Sequence, residues 1–331
     1  MAEPAVLTIA CIASFLIALT GTGLLSRILA ERGVIDRPND RSSHVRATPR
    51  GGGIAVIAAV AVGFGILIAA ETPVPPDIGL LLGIAFVLAS VSWIDDIRGL
   101  PAFVRLVAQA LCVAVSLYLL PLPLPTALDT LPPFAQYLLT GLAWLWFINL
   151  YNFMDGIDGI TGVETLTITL GTAAVVGVTS GNHVLIAPAL VIAAAMPGFL
   201  KWNWPPARIF MGDVGSVTLG YLLGWLLIAS SAEGSWIAVV IIPSYYLADA
   251  TVTLICRAFR GEKIWKAHRQ HAYQQAVQNG MSHGDVSGRI GVLGVCLTGL
   301  ALTALYHPVP AALAAVAFIG AMMHHFIHTK S

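Results

Sequence analysis

Eleven apolar stretches divide this chain, at roughly 5–26, 52–70, 78–94, 102–120, 134–149, 160–179, 184–200, 214–230, 236–256, 289–306 and 309–327. A hydrocarbon core of about 30 Å is crossed by roughly 20 helical residues. Backbone polar groups facing lipid must be satisfied internally, which favours helices. The pattern predicts an all-α, polytopic integral membrane protein with about 11 transmembrane helices, a single domain over 1–331. Composition agrees: 57% of residues are hydrophobic and 10% charged, against about 25% charged in soluble domains. Formal net charge is zero, so there is no basic surface for nucleic acid. Cys11, Cys112, Cys256 and Cys296 lie inside apolar runs without metal-ligand or disulfide spacing, and read as packing residues. The first stretch lacks a basic leader and is long enough to span, so it reads as a helix rather than a cleaved signal.

Charge sets the expected orientation. With the N-terminus periplasmic and eleven crossings, the inner loops collect Arg32, Arg37, Arg41, Arg46, Arg50, Arg98, Lys201, Arg208, Arg260, Lys263, Lys266, Arg269 and Lys330. Arg27, Arg105, Arg257 and Arg289 fall at or near inner span ends, which accounts for all seventeen basic residues. Outer loops near Glu71, Asp77, Asp129, Glu233 and His307 hold none. This is the positive-inside bias, and it predicts a cytoplasmic C-terminus. The polar loops 31–51, 95–101, 150–160, 201–213 and 257–288 then share the cytoplasmic face and form the expected active face.

Asp95, Asp96, Asp155, Asp158 and Asp213 lie at those inner span ends or beside them. Gathered carboxylates repel, and a helix C-terminus adds negative potential. Singly they read equally as solvated charges or helix caps. Together they suit a hard cation such as Mg²⁺, which takes few protein carboxylates and completes its shell with water and phosphate oxygens. Gly51, Gly52 and Gly53, then Gly156, Gly159 and Gly162, then Gly212 and Gly215 open even-numbered spans. Such glycines bring backbone N–H groups toward an anion or let helices pack closely. Arg46, Arg50 and Arg208 read as diphosphate ligands or interfacial anchors. The segment 261–280 reads as an amphipathic surface helix ending at Asn279-Gly280, with Trp265, His268 and Ala272 on one face and His268 and His271 one turn apart. His324, His325 and His328 read as interfacial.

The runs NLYNFMDGIDG (149–159), WIDDIRGL (93–100), IFMGDVGS (209–216) and TPRGGG (48–53) resemble those of the polyprenyl-phosphate N-acetylhexosamine-1-phosphate transferases. That superfamily, glycosyltransferase family 4, includes the phospho-MurNAc-pentapeptide translocase. The resemblance runs from about 33 to 275 in order and spacing. It implies an inner-membrane bacterial enzyme that moves a sugar 1-phosphate from a UDP-N-acetylhexosamine to undecaprenyl phosphate. UMP is released, and Mg²⁺ is used, with Mn²⁺ as an alternative ion. It implies Asp213 as the metal ligand, and Asp95, Asp96 and Asp155 as catalytic groups. One of the paired aspartates would be the base, and Asp155 the nucleophile or base. It implies Asn149, Asn152, Asp158, Asn203 and Phe210 as nucleotide-side contacts, Asp158 on uracil and Phe210 stacked against it. His268, Arg269 and His271 match a C-terminal histidine motif, and the family often forms homodimers.

RSSH (41–44) and the HRxHxYQ pattern (268–274) are closer to the branch that starts O-antigen or other surface polysaccharides. The pentapeptide transferase carries three histidines where this chain has HRQH, and lysines where it has Arg46 and Arg50. That transferase remains the alternative within the superfamily. A nucleotide-sugar transporter is the alternative outside it, with Gln109, Glu164 and Asp249 as polar groups away from the inner face. An intramembrane aspartyl protease finds only half its motif in MGD.

Overall fold

The computed structural model describes residues 4–38, 42–120, 122–179, 183–232, 236–263 and 268–329. Helices dominate: α1 (Pro4–Glu31), α2 (Gly53–Ala69), α3 (Ile78–Arg98), α4 (Ala102–Leu119), α5 (Pro133–Phe153), α6 (Ile160–Thr179), α7 (Ile186–Asn203), α8 (Asp213–Ser231), α9 (Trp236–Ile241), α10 (Ser244–Phe259), α11 (Ala272–Gln278), α12 (His283–Ala304) and α13 (Pro308–His328). Among the described residues the only sheet is a ribbon of β1 (Ile35–Asp36) against β2 (Thr48–Pro49), antiparallel, with Ile35 opposite Pro49. Among the described residues eight helices are long and apolar enough to cross a membrane: α1, α3, α4, α6, α7, α8, α12 and α13. Leu24, Leu111, Leu142, Val292 and Leu313 point outward, as lipid-facing side chains should.

Three of the eleven expected stretches depart from that pattern. The α2 helix is apolar but only 17 residues long. The α5 helix has 21 residues, yet Gln136, Asn149 and Asn152 dilute its hydropathy. The stretch 236–256 is broken into α9 and α10, because Pro243 offers no N–H and its ring blocks a continuous helix. The expected packing role of the cysteines holds for buried Cys112 and partly buried Cys11. Cys256 and Cys296 are exposed on helix surfaces.

The α8 helix is the central post, with every residue from Val214 to Leu227 buried, as an all-round apolar helix requires. It packs on α2, α3, α5 and α6. Small residues set its approach to α5: a Cβ at Gly224 would lie 2.4 Å from Trp144 Cδ1, and one at Gly220 would lie 3.1 Å from the Ile148 Cα. Trp144 Nε1 donates to the Tyr221 carbonyl at 2.9 Å, their rings stack at 5.0 Å, and the Tyr221 hydroxyl pairs with Ser116 Oγ at 2.6 Å. These contacts clamp α4, α5 and α8, which carry Arg105, Asn152 and Asp213 respectively.

Candidate active site

The α8 N-terminus organises the site. Gly212 precedes it at φ +76°, and a Cβ there would lie 2.8 Å from Asp96 Oδ2. Glycine therefore permits both the turn and the approach of the carboxylate. Asp96, in the last turn of α3, accepts from the backbone N–H of Asp213 at 3.0 Å and of Val214 at 2.9 Å. Its Oδ1 lies 3.3 Å from Arg50 Nε, and the Arg50 guanidinium also donates to the Asp96 carbonyl. Asp96 is thus the cap of α8, stabilised by the positive end of that helix. Gly99, at φ +68°, ends α3, and Pro101 starts α4, which brings Arg105 back across. Arg105 Nη1 sits 3.0 Å from Asp95 Oδ2 and 3.2 Å from Asp213 Oδ2. The second Asp95 oxygen accepts the Leu100 N–H at 2.5 Å.

TPRGGG and IFMGD are laced together. Phe210 N–H donates to the Pro49 carbonyl at 2.8 Å, and the Phe210 carbonyl accepts from Gly51 at 3.1 Å and Gly52 at 2.8 Å. Gly53 N–H reaches the Met211 carbonyl at 2.8 Å. The expectation that these glycines offer N–H groups to an anion is corrected: the amides are spent on carbonyls. Their small size serves packing, since a Cβ at Gly53 would lie 2.2 Å from the Gly215 Cα.

A cavity of about 240 Å³ opens beside these loops, lined among others by Asp36, Arg50, Asn152, Asp155, Asp158, Asn203, Phe210, Asp213 and Gln274. Asn152 Nδ2 bonds Asp213 Oδ1 at 3.2 Å and Ser216 Oγ at 2.8 Å. Asp155 accepts a short hydrogen bond from Thr161 Oγ1. Burial pushes the Asp155 carboxyl up to about 7; the Thr161 bond opposes this and the Asp213 charge adds to it. Asp158 uses Oδ2 to accept the Ala207 N–H at 2.9 Å and keeps Oδ1 3.1 Å from His283 Nδ1. Asn203 spends its amide on Gly159 N–H and the Ile209 carbonyl, both at 2.9 Å, tying two loops together.

Other expected residues lie off the cavity wall. Asp95 and Asp96 sit behind it, held by Arg105, Arg50 and backbone N–H groups. Asn149 turns to Gln109, Nδ2 to Oε1 at 2.7 Å. Arg46 is exposed. Among the described residues of the helix expected over 261–280, the helical part is α11; residues 264–267, Trp265 among them, lie outside the described residues. The helix starts late because His271 is its N-cap, with Gln274 completing a capping box, and because Asp249 accepts Ala272 N–H at 2.8 Å and Tyr273 N–H at 3.2 Å. His268 stands 4.8 Å from the His271 ring. Burial, with the charges of His271 and Arg257, pulls its imidazole down to about 4, so it is neutral at pH 7. Arg269 donates to the Ser42 carbonyl at 3.1 Å.

Residues 78–231, which supply α3 to α8 and hence Asp95, Asp96, Asn152, Asp155 and Asp213, match the family described as Glycosyl transferase family 4. The chain is 28% identical over 304 residues to the probable undecaprenyl-phosphate N-acetylglucosaminyl 1-phosphate transferase of Bacillus subtilis (88% of this chain, 82% of the relative). It is 27% identical over 311 residues to the undecaprenyl-phosphate alpha-N-acetylglucosaminyl 1-phosphate transferase of Salmonella typhi (87% and 81%). The phospho-N-acetylmuramoyl-pentapeptide-transferase of Lacticaseibacillus paracasei matches at 33% over 169 residues, 50% of this chain and 51% of the relative.

Side chains of the site that escaped the sequence reading include Asp36, Arg105, His283 and Gln274. Arg105 carried a usable signal, because a basic residue one turn into α4 and ten positions after Asp95 must face it across a tight hairpin. Gln274 stood inside HRxHxYQ. His283 and Asp36 had none, since a single polar residue at a helix start or in a loop is common.

Proposed function

We propose that this chain transfers an N-acetylhexosamine 1-phosphate from a UDP-sugar to undecaprenyl phosphate, giving the undecaprenyl-diphosphate sugar and UMP, and so starts O-antigen or another cell-surface polysaccharide. The observation that carries the reading is one cavity joining Asp155 and Asp158 of the α5–α6 loop, Asn152 of α5, Asp213 of α8 and Arg50 of the TPRGGG loop. An apolar groove of about 560 Å³ between α4 and α5 supports it, running from Tyr118 and Tyr137 to Ala110 and Leu145. Leu145 is seven residues from Asn152, roughly 10 Å along a helix. A prenyl tail lying in the groove would hold its phosphate at the cavity. The site faces the cytoplasm of a bacterial inner membrane in this reading, with eleven crossings, counting α9 and α10 as one. The distribution of basic residues supports that orientation.

The residues fit Mg²⁺, or Mn²⁺ in its place, as an open site. Among the described residues no three His, Cys, Asp or Glu side chains gather to hold a metal. Asp213 and Asp155 nevertheless line one cavity as hard oxygen donors, few enough to leave room for water and phosphate oxygens. Asp213 would hold the ion, which when bound would neutralise charge on the donor diphosphate. Asn152 fixes the Asp213 rotamer, and Arg105 keeps it oriented. The lipid phosphate oxygen attacks the β-phosphorus in line, the bond to the bridging oxygen breaks, and UMP leaves. Asp155 takes the proton-accepting role ahead of Asp95 and Asp96, because it lines the cavity and they do not. Catalysis rests on positioning and charge neutralisation.

The test is purified protein with undecaprenyl phosphate, Mg²⁺ and a panel of UDP-GlcNAc, UDP-QuiNAc, UDP-FucNAc and UDP-MurNAc-pentapeptide. UMP release with one of the first three, and the matching lipid product by mass spectrometry, is expected. Turnover of the pentapeptide donor alone would move the chain to peptidoglycan synthesis. No UMP from any donor, with nucleotide-sugar flux through acceptor-free proteoliposomes, would make it a transporter.

A further inference from the structure

His283 stands just off the cavity wall, yet it touches two residues that form that wall. Ser282 caps α12 by accepting the Asp285 N–H at 3.1 Å, which fixes where the helix begins. His283 and Ser287 then lie one turn apart and share a face. Both are turned on Asp158. The Ser287 hydroxyl donates to the Asp158 carbonyl at 2.8 Å. His283 Nδ1 lies 3.2 Å from the Asp158 backbone nitrogen and 3.1 Å from Asp158 Oδ1.

The other ring nitrogen reaches a different segment: His283 Nε2 lies 3.2 Å from the Ser43 carbonyl. A carbonyl only accepts, so Nε2 carries a proton and donates. Nδ1 accepts the Asp158 N–H when the ring is neutral and donates to Asp158 Oδ1 when it is charged. In either state the ring joins Asp158 to Ser43. Both of these line the cavity, although they are far apart in sequence. Each wall has a second anchor: Asp158 Oδ2 accepts the Ala207 N–H at 2.9 Å, and the Ser42 carbonyl accepts from Arg269 at 3.1 Å. His283 is where the two walls meet. Asp155 and Asp213, the groups placed at the reacting phosphate, are held instead by Thr161, Asn152 and Arg105.

We propose that His283 is a positioning residue for the donor site, holding the Asp158 loop and the 42–44 segment at a fixed spacing so that the nucleotide enters a gap formed in advance. The proposal rests on the UDP-sugar reading for what enters the gap, and goes beyond it in assigning His283 a task. Walls ordered before binding need not be ordered by the ligand, so their loss is felt in affinity. The groups at the reacting phosphate have other supports, so turnover of bound donor is spared. Three substitutions separate the two links. His283→Leu removes both. His283→Asn keeps a polar head near the Nδ1 position, toward Asp158. His283→Gln keeps one near the Nε2 position, toward Ser43.

The experiment measures UMP binding to the full chain in nanodiscs by calorimetry, the melting temperature, and KM and kcat for the UDP-sugar that releases UMP in the panel above. Wild type binds UMP. His283→Leu weakens UMP binding about tenfold, the scale of one to two lost hydrogen bonds. It raises donor KM by a similar factor and leaves kcat within about threefold of wild type. His283→Asn and His283→Gln each keep one link and each recover to within about threefold of wild-type affinity. UMP affinity unchanged in His283→Leu would overturn the proposal and leave the UDP-sugar reading standing. Equal losses in all three variants, spread over KM and kcat and following the melting temperature, would also overturn it, because His283 would then serve the fold alone. A folded wild type that binds no UMP would sink the UDP-sugar reading first, and this proposal with it.

Discussion

Two pairs of aspartates meet near the α8 N-terminus, and they live in opposite surroundings. Asp95 and Asp96 look from sequence like the reactive pair, adjacent and at a helix end. Each is instead saturated. Asp96 accepts two backbone N–H groups and faces Arg50, and Asp95 accepts Leu100 N–H and faces Arg105. Asp155 and Asp213 line the cavity with lighter support, Thr161 for one, Asn152 and Arg105 for the other. The lesson is that carboxylate repulsion has two remedies here. Behind the wall the protein supplies its own cations and helix dipole; at the wall it leaves capacity for a ligand.

Substitutions can break this contrast. Asp213→Asn should cost about a thousandfold or more in transfer, the scale of losing a preorganised charged group, with insertion and melting temperature near wild type. A stable, active Asp213→Asn would erase the distinction from the working side. Asp96→Asn should reduce activity too, but together with stability. Its charge-assisted bonds to the α8 N-terminus and Arg50 put the loss at about 2 kcal/mol, readable as a lower melting temperature. An Asp96→Asn protein that melts like wild type and has no activity would instead make Asp96 a reacting group.

Asp155 sharpens the contrast through pH. Its carboxyl sits at about 7, above the ordinary range, so the ionised form accumulates as pH rises through that value. Transfer that needs the carboxylate should fall below pH 7 and level off above it. Thr161→Val removes the hydrogen bond that favours the charged form, so the acid limb should move to higher pH by about one unit. A profile that does not shift would separate Asp155 from proton transfer. The smallest effect is expected at Arg46, which is exposed and off the cavity: Arg46→Ala should change donor KM by less than about twofold, as for solvent-screened charges.

Much of the helical frame was legible in the sequence, because membrane helices announce themselves by length and hydropathy, properties of each segment alone. The breaks were harder. Pro243 splits 236–256, and α11 starts at Ala272 because Asp249, distant in sequence, accepts its first N–H groups. The candidate residues were also largely legible by type and motif. Asn152, Asp155, Asp158, Asn203, Phe210 and Asp213 do converge on one cavity, while Asn149 and Arg46 do not.

The sequence by itself determined that this chain is helical and apolar, and which polar motifs it carries, since a segment's own composition governs its partition into lipid and its period governs its helix. Only the tertiary structure decided which carboxylate is a cap and which faces a cavity. That depends on which N–H groups and guanidinium groups arrive from elsewhere: Arg50 from one loop, Arg105 from a neighbouring helix, the open end of α8 from more than a hundred residues away. A side chain's partners are set by packing in three dimensions, and no local pattern in one dimension encodes them.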